Sequence, residues 1–256
     1  MVDLHAYLYS LSAILAAAVI TWLVSLLKRD VSIVDSLWGP MFLISALTYL
    51  LSASSIGQRS LLVITLVAIW SLRLSIYITR RNWGEVEDRR YQKIRANNSP
   101  NFAFKSLYIV FILQGLLAWV ISLPLLAAIS GATEVGVFDL LGIGLWLIGF
   151  AFETVGDSQL SRFKAQPENA GRVMDEGLWR YTRHPNYFGE FCIWWGFYLI
   201  ALNAGGWWSI VSPLLMTFLL LKVSGVSMLE KDIGERRPQY RDYIRRTNAF
   251  FPGPSG

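Results

Sequence analysis

Charged residues are spaced so widely along this chain that uncharged stretches of membrane-crossing length recur. Ala6–Leu27 and Ser36–Gln58 hold 22 and 23 residues without a charge. About 20 such residues cross a hydrocarbon layer of roughly 30 Å, so both predict spanning helices joined by Lys28–Asp35. The first is not read as a cleaved signal, because Asp3 and His5 replace a basic leader and no small-residue cleavage site precedes Lys28. Ser60–Thr79 predicts a third span containing Arg73, and Ser106–Thr133 a fourth, bent at Pro124. Val137–Gly156 predicts a fifth that carries Glu153. The run Phe191–Leu221 is too long for one helix; Asn203, Gly205 and Gly206 divide it into a sixth and a seventh, the last continuing past Lys222 toward Glu230. The expected fold is all-α, a multi-pass integral membrane bundle of seven transmembrane helices forming a single domain over 1–256.

Composition agrees: 54% hydrophobic and 16% charged residues, with a mean hydropathy of +0.42, exclude a soluble enzyme and a disordered chain. Cys192 is the single cysteine, which rules out an intramolecular disulfide and a thiolate metal cluster. Basic residues orient the helices. Segments 28–35, 80–105, 157–186 and the tail after Glu230 hold two, seven, five and six of them, against Arg59 alone on the other side. Positive charge gathers on the cytosolic side, so the N-terminus is expected outside and the C-terminus in the cytosol. That bias accounts for most of a pI near 9.4 without any nucleic acid partner. Segments 80–105 and 157–186 also exceed the usual helix connection of about 2 to 8 residues.

Ionisable groups inside a bilayer are costly and mark functional sites by default. Here they are Asp35, Arg73, Glu153, Asp157, Glu190, Lys222 and Glu230. Pairwise neutralisation that fixes helix packing is the plain alternative, and their clustering beneath two long basic segments weighs against it. Gly142, Gly144 and Gly149 follow no strand, so close helix packing is preferred to a dinucleotide-binding loop. Gly177–Glu190 reads GLWRYTRHPNYFGE. Pro185 suits a first helical turn capped by Thr182 or His184. The free N–H groups there, with Arg180, Arg183 and His184 before them, suit a phosphate. Asn186 and Glu190 fall at i and i+4, where an amide and a carboxylate can hydrogen-bond a ribose or a carboxamide. A helix cap within an interfacial aromatic belt is the simpler alternative. Metal hydrolysis is a poorer reading than these, since the two histidines, His5 and His184, are expected on opposite sides.

GLWRYTRHPNYFGE, the preceding GDSQLSRFK (Gly156–Lys164) and the closing EKDIGERRPQYRDYIRRTNAFFP (Glu230–Pro252) resemble the C-terminal half of the steroid 5α-reductase (3-oxo-5α-steroid 4-dehydrogenase) family. Its bacterial branch also shows an EDRRY element like Glu87–Tyr91. Sterol C14-reductases share a similar RHPNY block, and isoprenylcysteine carboxyl methyltransferases a looser one. The resemblance implies a seven-helix membrane reductase that binds NADPH from the cytosol and delivers hydride to an enone carbon–carbon double bond. Asp157, Lys164, Arg172, Tyr181, His184, Asn186, Tyr187 and Glu190 match family positions that line the cofactor site. Glu230, Tyr240 and Tyr243 fall in the C-terminal part of the pattern, and Arg89 and Tyr91 are expected to cover the cofactor. On this basis residues 1–105 form the substrate side and 106–256 the cofactor side. The family's glutamate near the start of span two is matched by Asp35, the neighbouring glutamine by Val34 and its span-three tyrosine by Trp70, departures that put steroid specificity in question.

The chemistry needs a hydride donor, an acid near the carbonyl oxygen and exclusion of water. Asp35, shielded by Trp38 and Trp70, is expected to be that acid, kept protonated by desolvation. Arg73 facing Asp35 would ionise it, so Arg73 is assigned instead to cofactor phosphate or to another acid. The substrate is a lipophilic small molecule, a steroid or another enone, that enters from the membrane lipids; the protein is expected to act as a monomer. A bacterial inner membrane is favoured, or the endoplasmic reticulum in a eukaryote. Two alternatives stand beside the reductase. One is an S-adenosylmethionine-dependent methyltransferase of a lipid or prenylated thiol, allowed by the RHP-x-Y-x-G core; the other is a transporter using the intramembrane charges.

Overall fold

A computed structural model describes residues 3–131, 133–223, 225, 226, 230 and 238–255. Among them all regular structure is helical, with no strand. The α-helices are α1 (Leu4–Lys28), α2 (Val34–Ser52), α3 (Gln58–Asn82), α4 (Arg89–Asn97), α5 (Phe102–Ser106), α6 (Leu113–Ile121) and α7 (Leu123–Ser130), then α8 (Val137–Lys164), α9 (Pro185–Asn203), α10 (Val211–Phe218) and α11 (Tyr240–Arg246). A π-helical segment, Leu107–Ile112, joins α5 to α6, and another, Leu219–Val223, follows α10. Among the described residues five helical stretches are long and apolar enough to cross a membrane: Leu4–Lys28, Val31–Ser52, Gln58–Asn82, Phe102–Ile121 and Val137–Lys164. Trp207–Val223 is a shorter apolar helix. In the expected sixth span, α9 has 19 residues, but Asn186, Glu190 and Asn203 dilute its apolar character. The expected run from Lys222 to Glu230 and the tail motif at 231–237 lie partly or wholly outside the described residues.

The chain divides into two compact units, Met1–Val135 with Ala201–Ser209, and Gly136–Ile200 with Ile210–Gly256. The first therefore takes in 106–135, which the sequence groups with the cofactor side. Its helices α2 and α3 pack so closely that a Cβ on Gly39 would lie 2.9 Å from the Ser71 carbonyl oxygen. Ile14, Ala18, Met41, Phe42, Tyr49 and Trp70 are fully buried in this unit. The fourth apolar run breaks at Ser122, and Pro124 sits in the first turn of α7, where its missing N–H costs nothing. Tyr49 and Ser122 join their hydroxyls across that break at 2.6 Å. Arg59 is buried and donates to the Thr133 carbonyl and hydroxyl, each at 2.8 Å, and to the Glu134 carbonyl.

In the second unit, α8 runs 28 residues, past Gly156 to Lys164, so Asp157 and Lys164 stand on a helix rather than in a loop. Arg162 and Lys164 in its last turn complement the negative end of the helix dipole. Gly142, Gly149 and Gly156 recur every seven residues along α8, as Gly189 and Gly196 do along α9. The helices meet antiparallel along these rows. A Cβ on Gly142 would lie 2.6 Å from the Gly196 carbonyl oxygen, one on Gly149 2.5 Å from that of Gly189, and one on Gly156 3.1 Å from the Pro185 ring. Only hydrogen at the α-carbon permits this approach. Gly144, off the row, has nothing within 4 Å of its missing Cβ. Close packing thus explains Gly142 and Gly149 but not Gly144.

Candidate functional site

One polar cluster stands at the start of α2. Asp35 in its first turn accepts a hydrogen bond from the Tyr91 hydroxyl at 2.5 Å and an ion-paired one from Arg90 Nη2 at 2.7 Å. Both partners come from α4, whose N-terminus is capped by Asp88; its side chain accepts from the Arg90 N–H at 2.8 Å and from Arg90 Nε at 3.0 Å. The segment before α4 is tied down as well. Glu87 takes Arg95 in a two-pronged pair at 2.9 and 2.7 Å and accepts the Val31 N–H at 2.9 Å. Gln114, on the membrane-length stretch Phe102–Ile121, donates from Nε2 to the Tyr91 oxygen at 3.1 Å.

These contacts redistribute the roles expected at this site. Arg90, not Arg73, meets Asp35. Burial works against the charge of Arg90, but Asp35 outweighs it and raises the guanidinium's pKa. Burial and the adjacent carboxylate push the Tyr91 phenol well above its ordinary value, so it stays protonated at neutral pH. Trp38 meets Phe42 edge-on at 5.2 Å, and Phe42 in turn contacts the fully buried Trp70 at 5.6 Å. Arg73 is half-buried on α3, and Arg89 is exposed at the start of α4. Arg90 and Gln114 had no assigned role in the sequence reading. The available signal for Gln114 was that it is the one amide side chain between Ser106 and Thr133.

The second cluster lies where Thr182, Arg183 and His184 precede α9. Arg183 forms a two-pronged pair with Glu230, Nε to Oε1 at 2.7 Å and Nη2 to Oε2 at 2.8 Å, while Nη1 donates to the carbonyls of Ile244, at 3.2 Å, and Thr247. His184 Nε2 meets Glu230 Oε1 at 3.0 Å, and its ring stacks on Tyr187 with centroids 5.4 Å apart. Burial alone would raise the pKa of Glu230, but bonds from His184 and Arg183 and the guanidinium charge hold it at about 2. The Thr182 hydroxyl donates to the Phe250 carbonyl at 2.8 Å, and Trp179 Nε1 to that of Gly156 at 3.0 Å. Tyr243 donates to the Trp179 carbonyl and lies edge-on to Tyr240, both rings buried. Arg183 therefore spends its donors on the protein, unlike the phosphate contact expected of it. His184, Tyr187, Glu230, Tyr240 and Tyr243 belong to this strapped region.

Asp157 is buried on α8 one residue beyond Gly156, which packs on Pro185 and the Asn186 backbone. Asn186 and Glu190 are half-buried on the first turns of α9. Lys164, Arg172 and Tyr181 are exposed. Two neighbouring clefts open in this unit. One, of about 370 Å³, is bordered by Asp175, Glu176, Arg180, Arg246, Thr247 and Ser255. The other, of about 310 Å³, is bordered by Arg172, Asp175, Gln239, Asp242 and Arg246. Arg172 and Arg180 are the residues expected at a cofactor or its phosphate that stand on their walls; Asn186, Tyr187 and Glu190 line neither.

Comparison with known proteins gives two relatives of unequal reach. An uncharacterized protein of Schizosaccharomyces pombe is 28% identical over 273 aligned positions, covering 93% of this chain and 77% of its own length. The 3-oxo-5-alpha-steroid 4-dehydrogenase 1 of Bos taurus is 34% identical over 68 positions, 27% of this chain and 26% of that protein. No solved structure matches. A family defined by its sequence pattern matches residues 21–247, which is most of the chain, and the protein thus belongs to that family, DUF1295, described as proteins of unknown function.

Proposed function

We propose that the protein is a membrane-embedded, NADPH-dependent reductase of an enone carbon–carbon double bond, with Δ4-3-oxosteroids as the favoured substrate class. It would span the membrane seven times with its N-terminus outside and its C-terminus in the cytosol. The observation that carries the proposal is the hydroxyl of Tyr91, buried and hydrogen-bonded to Asp35, which Arg90 holds on its other oxygen. The short stretch of similarity to a steroid 4-dehydrogenase supports the same chemistry.

The donor set of the second unit fits NADPH. Arg172, Arg180 and Arg246 on the cleft walls suit phosphates, and Asp175 and Asp242 suit ribose hydroxyls. Asn186 and Glu190 offer an amide and a carboxylate for the carboxamide end. When bound, NADPH supplies the hydride that the β-carbon receives. The chain's own part is to stabilise charge on the substrate oxygen. Tyr91 is the proton donor, since its raised pKa keeps it protonated until the substrate oxygen takes the proton; Asp35 orients the hydroxyl as its acceptor, and solvent restores the proton to Tyr91 once product has left. Arg183, with Glu230 and His184, holds the start of α9 against the C-terminal segment and so fixes Asn186 and Glu190.

The test is titration of detergent-purified protein with NADPH, NADH and S-adenosylmethionine, followed by NADPH consumption at 340 nm with Δ4-3-oxosteroids. Tight NADPH binding that weakens in Asn186→Ala and Glu190→Ala, together with turnover, is expected. Binding of S-adenosylmethionine in place of NADPH would move the function to methyl transfer, and binding of neither would favour transport.

A further inference from the structure

Gln114 is a polar amide on a helix otherwise suited to lipid. It follows directly after the π-helical segment Leu107–Ile112 within Phe102–Ile121. A π turn takes in one residue more than an α turn, so it rotates every later side chain by about 100° around the helix axis. In an unbroken α-helix, Gln114 would therefore face a different direction. With the π segment, its Nε2 reaches the Tyr91 hydroxyl oxygen at 3.1 Å. The bond leaves one Nε2 hydrogen unspent, because a primary amide carries two donors. The Tyr91 oxygen accepts from Gln114 while its proton goes to Asp35, whose other oxygen is held by Arg90. The helix distortion and the bond to Tyr91 together hold the amide, with its second N–H, beside the phenol and Asp35.

Resting on the reductase role proposed above, we infer that Gln114 is a substrate-binding residue that grips the carbonyl oxygen of a lipophilic ketone through its second amide hydrogen, next to the Tyr91 hydroxyl. The ligand class follows from this donor. A single amide N–H on an apolar helix, beside a buried ring, suits one acceptor oxygen on an apolar body. Gln114 thus determines specificity: it rewards a ketone over the matching hydrocarbon, because a polar site left without its partner loses the hydrogen bond it was built to make.

The probes are 4-cholesten-3-one and its 3-deoxy counterpart 4-cholestene, bound to the full-length protein in the same detergent and followed by quenching of intrinsic tryptophan fluorescence. The wild type is expected to favour the ketone by about 10-fold, the worth of one buried hydrogen bond. Gln114→Met, close in volume and at home in an apolar helix, is expected to bring the two affinities to within about 2-fold with little change for the hydrocarbon. Gln114→Leu serves as a second variant, and because the readout is a ratio of affinities, a partly unfolded sample lowers both terms equally. A wild type without ketone preference, or a variant that keeps it, overturns the inference. NADPH titration of the same samples separates the two claims. Retained NADPH binding with no role for Gln114 leaves the reductase proposal standing, whereas absent NADPH binding removes that proposal whatever the ketone ratio.

Discussion

Replacing Glu230 with glutamine tests how the second unit holds the start of α9. The carboxylate accepts two bonds from Arg183 and one from His184, and the side chains of Arg183 and Glu230 are 8% and 16% exposed. The substitution leaves a buried guanidinium facing a neutral amide. Two routes give the same size of effect. The shift of the carboxyl from its ordinary 4.5 to about 2 corresponds to roughly 3 kcal/mol, and breaking a buried ion pair on one side costs about 3 to 5 kcal/mol. The loss should appear locally, as faster amide hydrogen exchange in 179–183 and 240–250, the segments that Arg183, Thr182 and Tyr243 tie together. Because the pKa is lowered on folding, this stability is present above pH 4.5 and is lost as pH falls toward 2. Wild-type protection should therefore decline over that window, and that of Glu230→Gln should start low and change little. A double-mutant cycle with Arg183→Leu should give a coupling of about 2 kcal/mol. A coupling under about 0.5 kcal/mol, or unchanged exchange in Glu230→Gln, would refute the strap.

Four further outcomes follow from the same geometry. Tyr91→Phe should cut NADPH consumption by about 100-fold or more while leaving the affinity for NADPH unchanged, as removal of a proton donor does; equal loss of both would point to a cofactor contact instead. Gly149→Ala sets a methyl 2.5 Å from the Gly189 carbonyl oxygen and should cost about 1 to 3 kcal/mol in detergent melting. Gly144→Ala, with open space at its Cβ, should leave the melting point equal or higher. Arg172→Ala and Arg246→Ala on the cleft walls should each weaken NADPH more than NADH in a direct titration, by about 10-fold if one of them reads the 2′-phosphate.

Much of the helical frame was legible because a bilayer imposes a length rule that charge spacing alone can test. The starts of α2, α3 and α8 fall within a few residues of where the uncharged runs begin. The end of α8 was missed because Asp157, Ser161 and Arg162 look like a polar loop in sequence, whereas a helix leaving a membrane carries such residues without stopping. The break at Ser122 was placed two residues late, since proline marks the first turn of the new helix and not the last of the old.

The sequence by itself determined that the chain is an all-helical protein with membrane-length apolar helices, because residue types and their spacing carry that information locally; that the RHPNY block and the C-terminal tyrosines share one region was implied by the family resemblance alone. Only the tertiary structure decided their partners. Asp35 and Arg90 are 55 residues apart, Arg183 and Glu230 are 47 apart, and Gln114 reaches Tyr91 only through the turn of a π segment. A carboxylate is an acid or an acceptor according to the charge beside it, and a guanidinium is a phosphate ligand or a strap according to which donors are already taken. Both depend on distances across the fold, and no local pattern of residues encodes them.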